Sequence, residues 1–402
     1  MSGWALGIAN LVVAWILAAV WAVHLLEAAR GMPKIPDITR PAFDVPPQQI
    51  VSCETEKHSP KVTIVVPARN EALTIEPALR SLRKLDYPNY ELIVVNDRSG
   101  DDTGEIMERV AAEPEGAPVR VVHVRELPPK WLGKTYAMWT GAKAGNGDWV
   151  LFTDADVVFR PDTLRRALAY AEREGADHLV LFPTMLTYTP GERMMISLFQ
   201  ALIGFGHRPW KVADPEARDY IGVGAFNMIR RSTYERVGTY ECLRLAVMDD
   251  MQLGQLVKKG RFHQRCVFGK DLTRIHWAHG AMGVVRNVTK NFFAYMQFNF
   301  WIALAAACAL TVLNVLPFVA VFLSSGAALV GYLVAILCVF AIYAGMAPKS
   351  GIGWWYFFTY PIGSALFAYA IILSAVTTVR HGGVMWRGTL YPLEVLKTQP
   401  KN

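Results

Sequence analysis

Long stretches without a charged side chain limit what this 402-residue chain can fold into. Residues 4–23 contain no Lys, Arg, Asp, Glu or His, residues 291–348 carry no charge, and residues 350–379 continue the pattern. A helix needs about 20 mostly apolar residues to cross the roughly 30 Å hydrocarbon core of a bilayer. We therefore predict one transmembrane helix in residues 1–30, about three in residues 300–380, and a tail from 381 to 402.

Positive charges beside the first apolar run indicate how the chain is oriented. Arg30, Lys34 and Arg40 follow that run, and the positive-inside rule places such a segment in the cytosol. We expect an integral protein of the inner or plasma membrane with a cytosolic middle region. Three later spans would put the basic tail outside, against the same rule, and its charges are Arg380, Arg387, Lys397 and Lys401. Either one C-terminal segment is re-entrant or interfacial, or the count is off by one.

The charge balance indicates the class of partner. The formal net charge is +7, but the chain has no dense basic tract and no nucleic-acid-binding motif. We therefore expect the bilayer and phosphate-bearing ligands as partners, and no nucleic acid. Six prolines in residues 31–60 predict a stiff linker. The aromatic-rich residues 284–299 predict an interfacial helix on the membrane surface.

Residues 61–283 alternate between short apolar runs and amphipathic stretches. We predict strands at residues 62–67, 91–96, 119–124 and 149–153, and helices at 71–85, from 102, and at 134–144. This alternation predicts an α/β fold, with a Rossmann-like, mostly parallel sheet in a cytosolic domain joined to transmembrane α-helices. Ligands of such sheets bind beyond the carboxyl ends of the strands.

Two carboxylates end the fourth predicted strand. Because residues i and i+2 of a strand point the same way, we expect Asp154 and Asp156 to converge. Their repulsion is relieved by a hard divalent cation, Mg²⁺ or Mn²⁺, which binds with few carboxylates and completes its shell with substrate phosphate. The alternative is a solvated strand end.

The acidic residues near position 97 and near position 249 can be explained either by helix capping or by a role in ligand binding or catalysis. Asp97 follows the second predicted strand and is our ligand candidate there, whereas Asp101, Asp102 and Thr103 are expected to cap a helix. Asp249 and Asp250 begin a predicted helix, where one acidic side chain is an ordinary dipole partner. The other could act as a general base.

Four motifs occur in order along this region. They are Pro67-Ala68-Arg69-Asn70-Glu71, Val95-Asn96-Asp97-Arg98-Ser99, Thr153-Asp154-Ala155-Asp156, and Asp249-Asp250 followed by Leu253. Together they resemble the family 2 glycosyltransferases of the GT-A fold, over residues 61–270. The resemblance implies a nucleotide-diphosphate sugar donor, a divalent metal ion and inversion at the anomeric carbon.

The resemblance also assigns roles to residues. Asp97 contacts the nucleoside, Asp156 together with Asp154 binds the metal, and Asp250 is the catalytic base, with Asp249 where the family has Glu. The donor-binding set is Pro67, Ala68, Arg69, Glu71, Asp97, Lys134 and Asp154. The acceptor-side set is Gly224, Asp249 and Trp277.

The stretch Leu127-Pro128-Pro129-Lys130-Trp131-Leu132-Gly133-Lys134 is similar to one in lipid-directed members, the hopene-associated, carotenoid and ceramide-type glycosyltransferases. Lys134 then neutralises donor phosphate, or is a solvated helix-start lysine. Gly224 lets the backbone approach the sugar, or marks a bulge. The chain departs from processive synthases and ceramide glucosyltransferases, because two residues separate Arg274 from Trp277. Arg274, His276 and Trp277 either cover the donor or anchor the domain at the membrane interface.

These observations predict transfer of a hexose, with a UDP-sugar as the expected donor, to a membrane lipid. Two alternatives of the same chemistry stay open, a polyprenyl-phosphate glycosyltransferase and a polysaccharide synthase. A third is a membrane-tethered nucleotide-sugar binding module without turnover.

Overall fold

Every residue of the first strand, Val62–Ala68, is buried, as expected of a strand covered on both faces. The structure, a computed structural model, describes residues 3–52, 59–386 and 388–397. Arg387 and Lys401 of the predicted basic tail, and part of the predicted linker, lie outside these ranges.

The described residues divide into two units. The unit that holds most of the predicted site residues contains Ile35–Leu186 and Lys211–His276, and we call it the catalytic unit. The unit that holds the long apolar helices contains the chain up to Lys34, Thr187–Trp210 and Trp277–Lys397, and we call it the membrane unit. The predicted catalytic domain, residues 61–283, differs from this unit. Thr187–Trp210 of the membrane unit interrupts it, and the membrane unit resumes at Trp277, before residue 283.

The strands of the described chain are short. They are β1 (Val62–Ala68), β2 (Tyr90–Asp97), β3 (Val119–Val124), β4 (Trp149–Phe152), β5 (Val158–Phe159), β6 (His178–Phe182), β7 (Thr184–Met185), β8 (Asn227–Arg230), β9 (Gln264–Phe268), β10 (Thr273–Ile275), β11 (Gly383–Trp386) and β12 (Thr389–Pro392).

The α-helices range from one turn to spans of bilayer length. They are α1 (Gly3–Gly31), α2 (Ile75–Leu82), α3 (Thr103–Ala111), α4 (Gly133–Ala144), α5 (Thr163–Arg173), α6 (Pro190–His207), α7 (Arg231–Arg236), α8 (Asp249–Lys259), α9 (Gly280–Tyr295), α10 (Phe300–Asn314), α11 (Leu316–Ala320), α12 (Gly326–Ser350), α13 (Tyr360–Arg380) and α14 (Leu393–Lys397).

The catalytic unit is built on a seven-stranded sheet in the order β3-β2-β1-β4-β8-β6-β9. Neighbouring strands are parallel except around β8, which is antiparallel to both β4 and β6. The predicted α/β fold with a mostly parallel sheet is confirmed. Strand order reverses between β1 and β4, and such a reversal opens a crevice at the carboxyl ends of the strands. The loops after β1, β2 and β4 meet at this edge.

Three helices of the membrane unit are long and apolar enough to cross a bilayer by length and composition. They are Trp4–Lys34, Gly326–Ser350 and Trp354–Arg380. The helix α10 is also apolar but has only 15 residues, about 22 Å at 1.5 Å per residue. The sequence predicted about three C-terminal spans, whereas the described chain has two long helices and this short one.

Helices α1 and α12 pack side by side in the same direction. The Tyr332 hydroxyl donates to Asn10 Oδ1 at 2.8 Å near one end, and Lys349 Nζ donates to the Met32 carbonyl at 3.4 Å near the other. Next to the first contact, Gly331 faces Ala14 so closely that a Cβ would lie 3.0 Å from Ala14 Cβ. Because both helices run the same way, the chain must return across the unit between them. The apolar pair α10–α11, 21 residues from end to end, lies at that place in the chain.

Helix α13 runs antiparallel to α10. Tyr360 at its start hydrogen-bonds Asn314 at the end of α10, while Ile371 and Ala375 pack with Ala303 near the start of α10. Helix α13 therefore begins beside the end of α10 and runs back toward the start of α10. This packing matches the re-entrant alternative considered for the C-terminal segment.

We expect the C-terminal tail on the same side of the membrane as the linker that follows α1, which the positive-inside rule makes the cytosol. A green fluorescent protein fused after residue 402 should fluoresce, and alkaline phosphatase fused there should be inactive. Fusions placed after Ser325, between α11 and α12, should give the opposite pattern. An active phosphatase at residue 402 would contradict this packing-based topology.

Candidate active site

The loops that follow β1 and β2 are tied together at the carboxyl edge of the sheet. Pro67 and Ala68 end β1, and Ala68 pairs with Asn96 of β2. Beyond them, the Glu71 amide donates to Thr103 Oγ1 at 2.7 Å. The sequence motif from 67 to 71 is therefore adjacent to the motif from 95 to 99, as the predicted donor site requires. Arg69 directly follows β1 within the same loop.

Asp97 is buried, with 3% of the residue exposed, and its carboxylate is held by its own neighbour. Arg98 Nε lies 2.7 Å from Asp97 Oδ1, and Arg98 Nη2 lies 3.1 Å from Oδ2. The carboxylate also lies at the N-terminal end of α4, where Leu132 provides no side-chain cap and negative charge is favoured. A Cβ on Gly133 would overlap Asp97 Oδ2. The sequence pointed to Asp97 and missed Arg98, whose φ of 53° turns its side chain back.

Asp154 and Asp156 follow β4 in a turn. The strand ends at Phe152. The prediction that the two side chains point the same way because they alternate along a strand is therefore wrong. The Asp154 amide instead donates to the Gly224 carbonyl at 3.0 Å. The two carboxylates nevertheless interact: burial, then the charges of Asp154 and Glu71, raise the pKa of Asp156 to about 7.

Lys134 joins two carboxylates that come from different parts of the fold. Its Nζ lies 2.8 Å from Asp154 Oδ1 and 3.4 Å from Asp249 Oδ1. Burial alone would lower the pKa of Lys134, but the charges of Asp154, Asp249 and Asp250 outweigh it and raise the pKa above its usual value. The solvated-lysine alternative is therefore wrong, because the ammonium is ion-paired inside the site.

Asp249 and Asp250 begin α8, as the sequence predicted, and they differ in environment. Asp249 is buried and accepts a hydrogen bond from the Tyr240 hydroxyl at 3.3 Å in addition to its contact with Lys134. Asp250 is only partly buried. Burial, followed by the charge of Asp249, raises the pKa of Asp250 to about 7. Burial also raises the pKa of Asp249, against the charge of Lys134, so the two carboxyl groups differ in their contacts rather than in the direction of the shift.

Two glycines bring the carboxylate-bearing segments together. A Cβ on Gly224 would lie 2.5 Å from Asp154 Oδ2, and a Cβ on Gly222 would overlap the Asp250 carbonyl. The segment before β8 therefore lies between the turn after β4 and the start of α8. Gly224 was expected to admit a sugar, but its immediate neighbour is Asp154. No sequence pattern indicated a role for Tyr240, because its contact with Asp249 depends on a loop conformation.

Trp277 belongs to the membrane unit, unlike the other predicted site residues. Its ring stacks on Phe199 with centroids 4.7 Å apart, and its carbonyl accepts a hydrogen bond from Asn287 at 2.5 Å. Arg274, in the catalytic unit, pairs with Asp271 at 3.1 Å. These contacts agree with the anchoring alternative for Trp277.

A divalent metal ion fits the donor chemistry of the turn after β4. Within residues 3–52, 59–386 and 388–397 no group of three or more His, Cys, Asp or Glu side chains is arranged to hold a metal ion. Burial, followed by the charges of Asp154 and Glu71, raises the pKa of Asp156, and the excess negative charge favours a cation with hard oxygen ligands. Asp156, with Asp154, would therefore supply part of a metal site that a diphosphate completes.

Comparison with known proteins agrees with this geometry. Residues 63–238 match Glycosyl transferase family 2. The fold is similar to that of a mannosyltransferase from Pyrobaculum calidifontis, solved with GDP-Man and Mn²⁺, with a TM-score of 0.56, 20% identity, and coverage of 92% of this chain and 99% of that one. The catalytic unit thus has the GT-A fold, and residues 63–238 of the chain are similar to glycosyl transferase family 2.

Relatives in sequence are glycosyltransferases by name. A 4,4'-diaponeurosporenoate glycosyltransferase from Staphylococcus haemolyticus is 24% identical over 200 residues, which are 49% of this chain and 52% of the relative. A probable glycosyltransferase, YdaM, from Bacillus subtilis is 35% identical over 105 residues, 26% of this chain and 24% of the relative. The chain therefore spans about half the length, or less, of these curated relatives.

Replacing Asp156 by Asn should stabilise the metal-free protein. The folded state binds the extra proton of Asp156 between about pH 4 and 7, so the carboxylate costs stability as pH rises through that window. At pH 8 we expect Asp156→Asn to raise the melting temperature of the catalytic unit by about 2–4 °C, the shift expected from 1 kcal/mol. The gain should shrink at pH 5, and a gain of equal size at both pH values would contradict this origin.

Replacing Gly224 by Ala should disturb Asp154 without unfolding the chain, because the new Cβ would press on Asp154 Oδ2. We expect Mn²⁺-dependent nucleotide binding to weaken at least about tenfold, the effect of an ångström-scale misplacement in a preorganised site. Gly204→Ala is the control, since a Cβ there meets no atom within 4 Å. Unchanged binding in Gly224→Ala, measured by calorimetry, would show that the close packing is tolerated.

Proposed function

We propose that this chain is an inverting, membrane-bound glycosyltransferase that moves a hexose from a nucleotide-diphosphate sugar to a membrane lipid. The observation that carries the proposal is the packing of Asp154 and the start of α8 against one glycine segment. It supports a pairing of the proposed cation-binding turn with Asp250, whose pKa burial and the charge of Asp249 raise to about 7. Donor activation and acceptor deprotonation need these two functions close together.

Asp250 is the catalytic base in this proposal. A general base works best with a pKa close to the operating pH, and the pKa of Asp250 is raised to about 7. Asp249 is unsuited to the role because Lys134 and Tyr240 already occupy its oxygens. Asp250 would take the proton of the acceptor hydroxyl as that oxygen attacks the anomeric carbon.

The donor side of the proposal uses the loops after β1, β2 and β4. The nucleoside would lie near the Asp97–Arg98 pair, and the diphosphate beside Asp156. A divalent ion held by Asp156 and Asp154 would supply electrostatic stabilisation of the departing diphosphate, which requires no proton. UDP is the expected nucleotide, while the GDP-Man bound to the Pyrobaculum protein makes a GDP-sugar the first alternative to test.

A lipid acceptor is supported by two observations. The membrane unit has three candidate spans, so an apolar acceptor dissolved in the bilayer is available to the same chain. The name of the Staphylococcus haemolyticus relative refers to a carotenoid acid as its glycosylated substrate. A hydroxyl or carboxyl group on a long apolar lipid is therefore the acceptor class that we propose.

The experiment that tests this function is an extraction assay. Membranes containing the full-length chain are incubated with Mn²⁺ and a panel of radiolabelled UDP-, GDP- and TDP-sugars, and the lipids are then extracted into organic solvent. We expect label from one donor in the organic phase, absent from membranes with Asp156→Asn. A ladder of water-soluble products would indicate a polysaccharide synthase. Label confined to unreacted donor, despite nucleotide binding, would indicate a binding module.

Replacing Asp250 by Asn should lower the transfer rate by about 10²–10⁴-fold, the usual contribution of a positioned base. In the unsubstituted enzyme the rate should rise with pH through about 7, because only the ionised carboxylate accepts a proton. Asp271→Asn is the control, as Asp271 has a φ of 62° that Asn also tolerates and lies in a surface ion pair. If Asp250→Asn keeps most of its turnover, the acceptor is a phosphate such as polyprenyl phosphate, which needs no base.

A further inference from the structure

Lys134 forms ion pairs with two carboxylates at the centre of the site. Asp154 belongs to the turn after β4 and Asp249 to the first turn of α8, and the ammonium contacts both. The side chain of Asp249 is only 3% exposed and that of Lys134 is 23% exposed. Such contacts between partly buried charges are screened far less by solvent than surface ion pairs.

The position of Lys134 is fixed by the loop that leads into α8. The Leu132 amide and the Thr135 hydroxyl, one on each side of Lys134, both donate to the Arg244 carbonyl, at 2.8 and 2.7 Å. The Arg244 guanidinium lies over the Trp131 ring, 5.1 Å from its centroid. These contacts join the start of α4 to the loop that leads to Asp249, so the residue that carries the ammonium lies next to both of its partners.

The carboxylates of Asp154 and Asp156 differ in their contacts. Asp154 Oδ1 is occupied by Lys134, and Asp154 Oδ2 faces the backbone of Gly224. No side chain of another described residue donates a hydrogen bond or an ion pair to Asp156, whose surroundings are dominated by negative charge. In the absence of ligand, one carboxylate of the pair is thus neutralised by the protein and the other is not.

We propose that Lys134 is a positioning residue that serves as a built-in counter-cation: it holds Asp154 and Asp249 together in the free protein and keeps the affinity of the nucleotide-free site for divalent cations low. The metal ion is then taken up together with the donor diphosphate, whose charge replaces the missing carboxylate. The proposal rests on the proposed function in so far as the metal site is the donor site. It differs from a lysine that only contacts donor phosphate.

The test is a titration of the detergent-solubilised full-length protein with Mn²⁺ alone, followed by electron paramagnetic resonance of the free ion. Removing a positive charge within a few ångströms of the binding carboxylates should tighten Mn²⁺ binding about tenfold or more in Lys134→Met. Lys134→Gln is a second neutral variant and should behave alike, whereas Lys134→Arg keeps the charge and should bind as the unsubstituted protein does. Lys143→Met is the matched control, because Lys143 lies on the same helix over Trp139.

The outcomes separate the alternatives. Mn²⁺ affinity that is unchanged or weaker in both neutral variants, with diphosphate binding weakened, would mean that Lys134 is only a phosphate contact and would overturn the proposal. Detectable Mn²⁺ binding in the neutral variants, where the unsubstituted protein shows none, would support it. Melting curves establish that each variant is folded. The titration needs no turnover, so failure of sugar transfer in the extraction assay is a separate result.

Discussion

The ion pairs of Lys134 with Asp154 and Asp249 are the interaction on which the arrangement of the site depends. Carboxylates that are withdrawn from water cost several kcal/mol each unless a charge of opposite sign compensates them. Here that compensation comes from the first turn of α4, while the carboxylates come from the turn after β4 and from α8. Because the three segments are far apart in the chain, their mutual position is set by the sheet and then fixed by this shared charge.

The same arrangement divides the acidic residues by role. Burial raises the pKa of Asp156, Asp249 and Asp250 alike, to about 7 for Asp156 and Asp250, but of the three it is Asp249 that both Lys134 and the Tyr240 hydroxyl contact. Residues whose titration is shifted toward neutrality by burial and like charge are concentrated at functional sites.

The sequence predicted the strands β1 to β4 well, because three of them, β1, β2 and β4, are mostly buried apolar runs. The boundaries of β3 agree with the prediction at both ends, and those of β1 within one residue. It failed at Asp154 and Asp156, since the end of a strand cannot be read from two acidic residues that suit a turn equally well. It also could not show that Arg98 and Tyr240 hold site carboxylates, because such contacts depend on loop conformation rather than on local pattern.

The parallel packing of α1 and α12 has a consequence for biosynthesis. More than 290 residues separate the two helices in sequence, yet Asn10 of the first hydrogen-bonds Tyr332 of the second. At translation rates of about 5–20 residues per second, α1 waits in the bilayer for at least about 15 seconds before its partner is made. During that interval the amide of Asn10 has no such partner, and the catalytic unit emerges from the ribosome tethered by a single helix. Folding of the enzyme therefore ends in the membrane, after its water-soluble part has been synthesised.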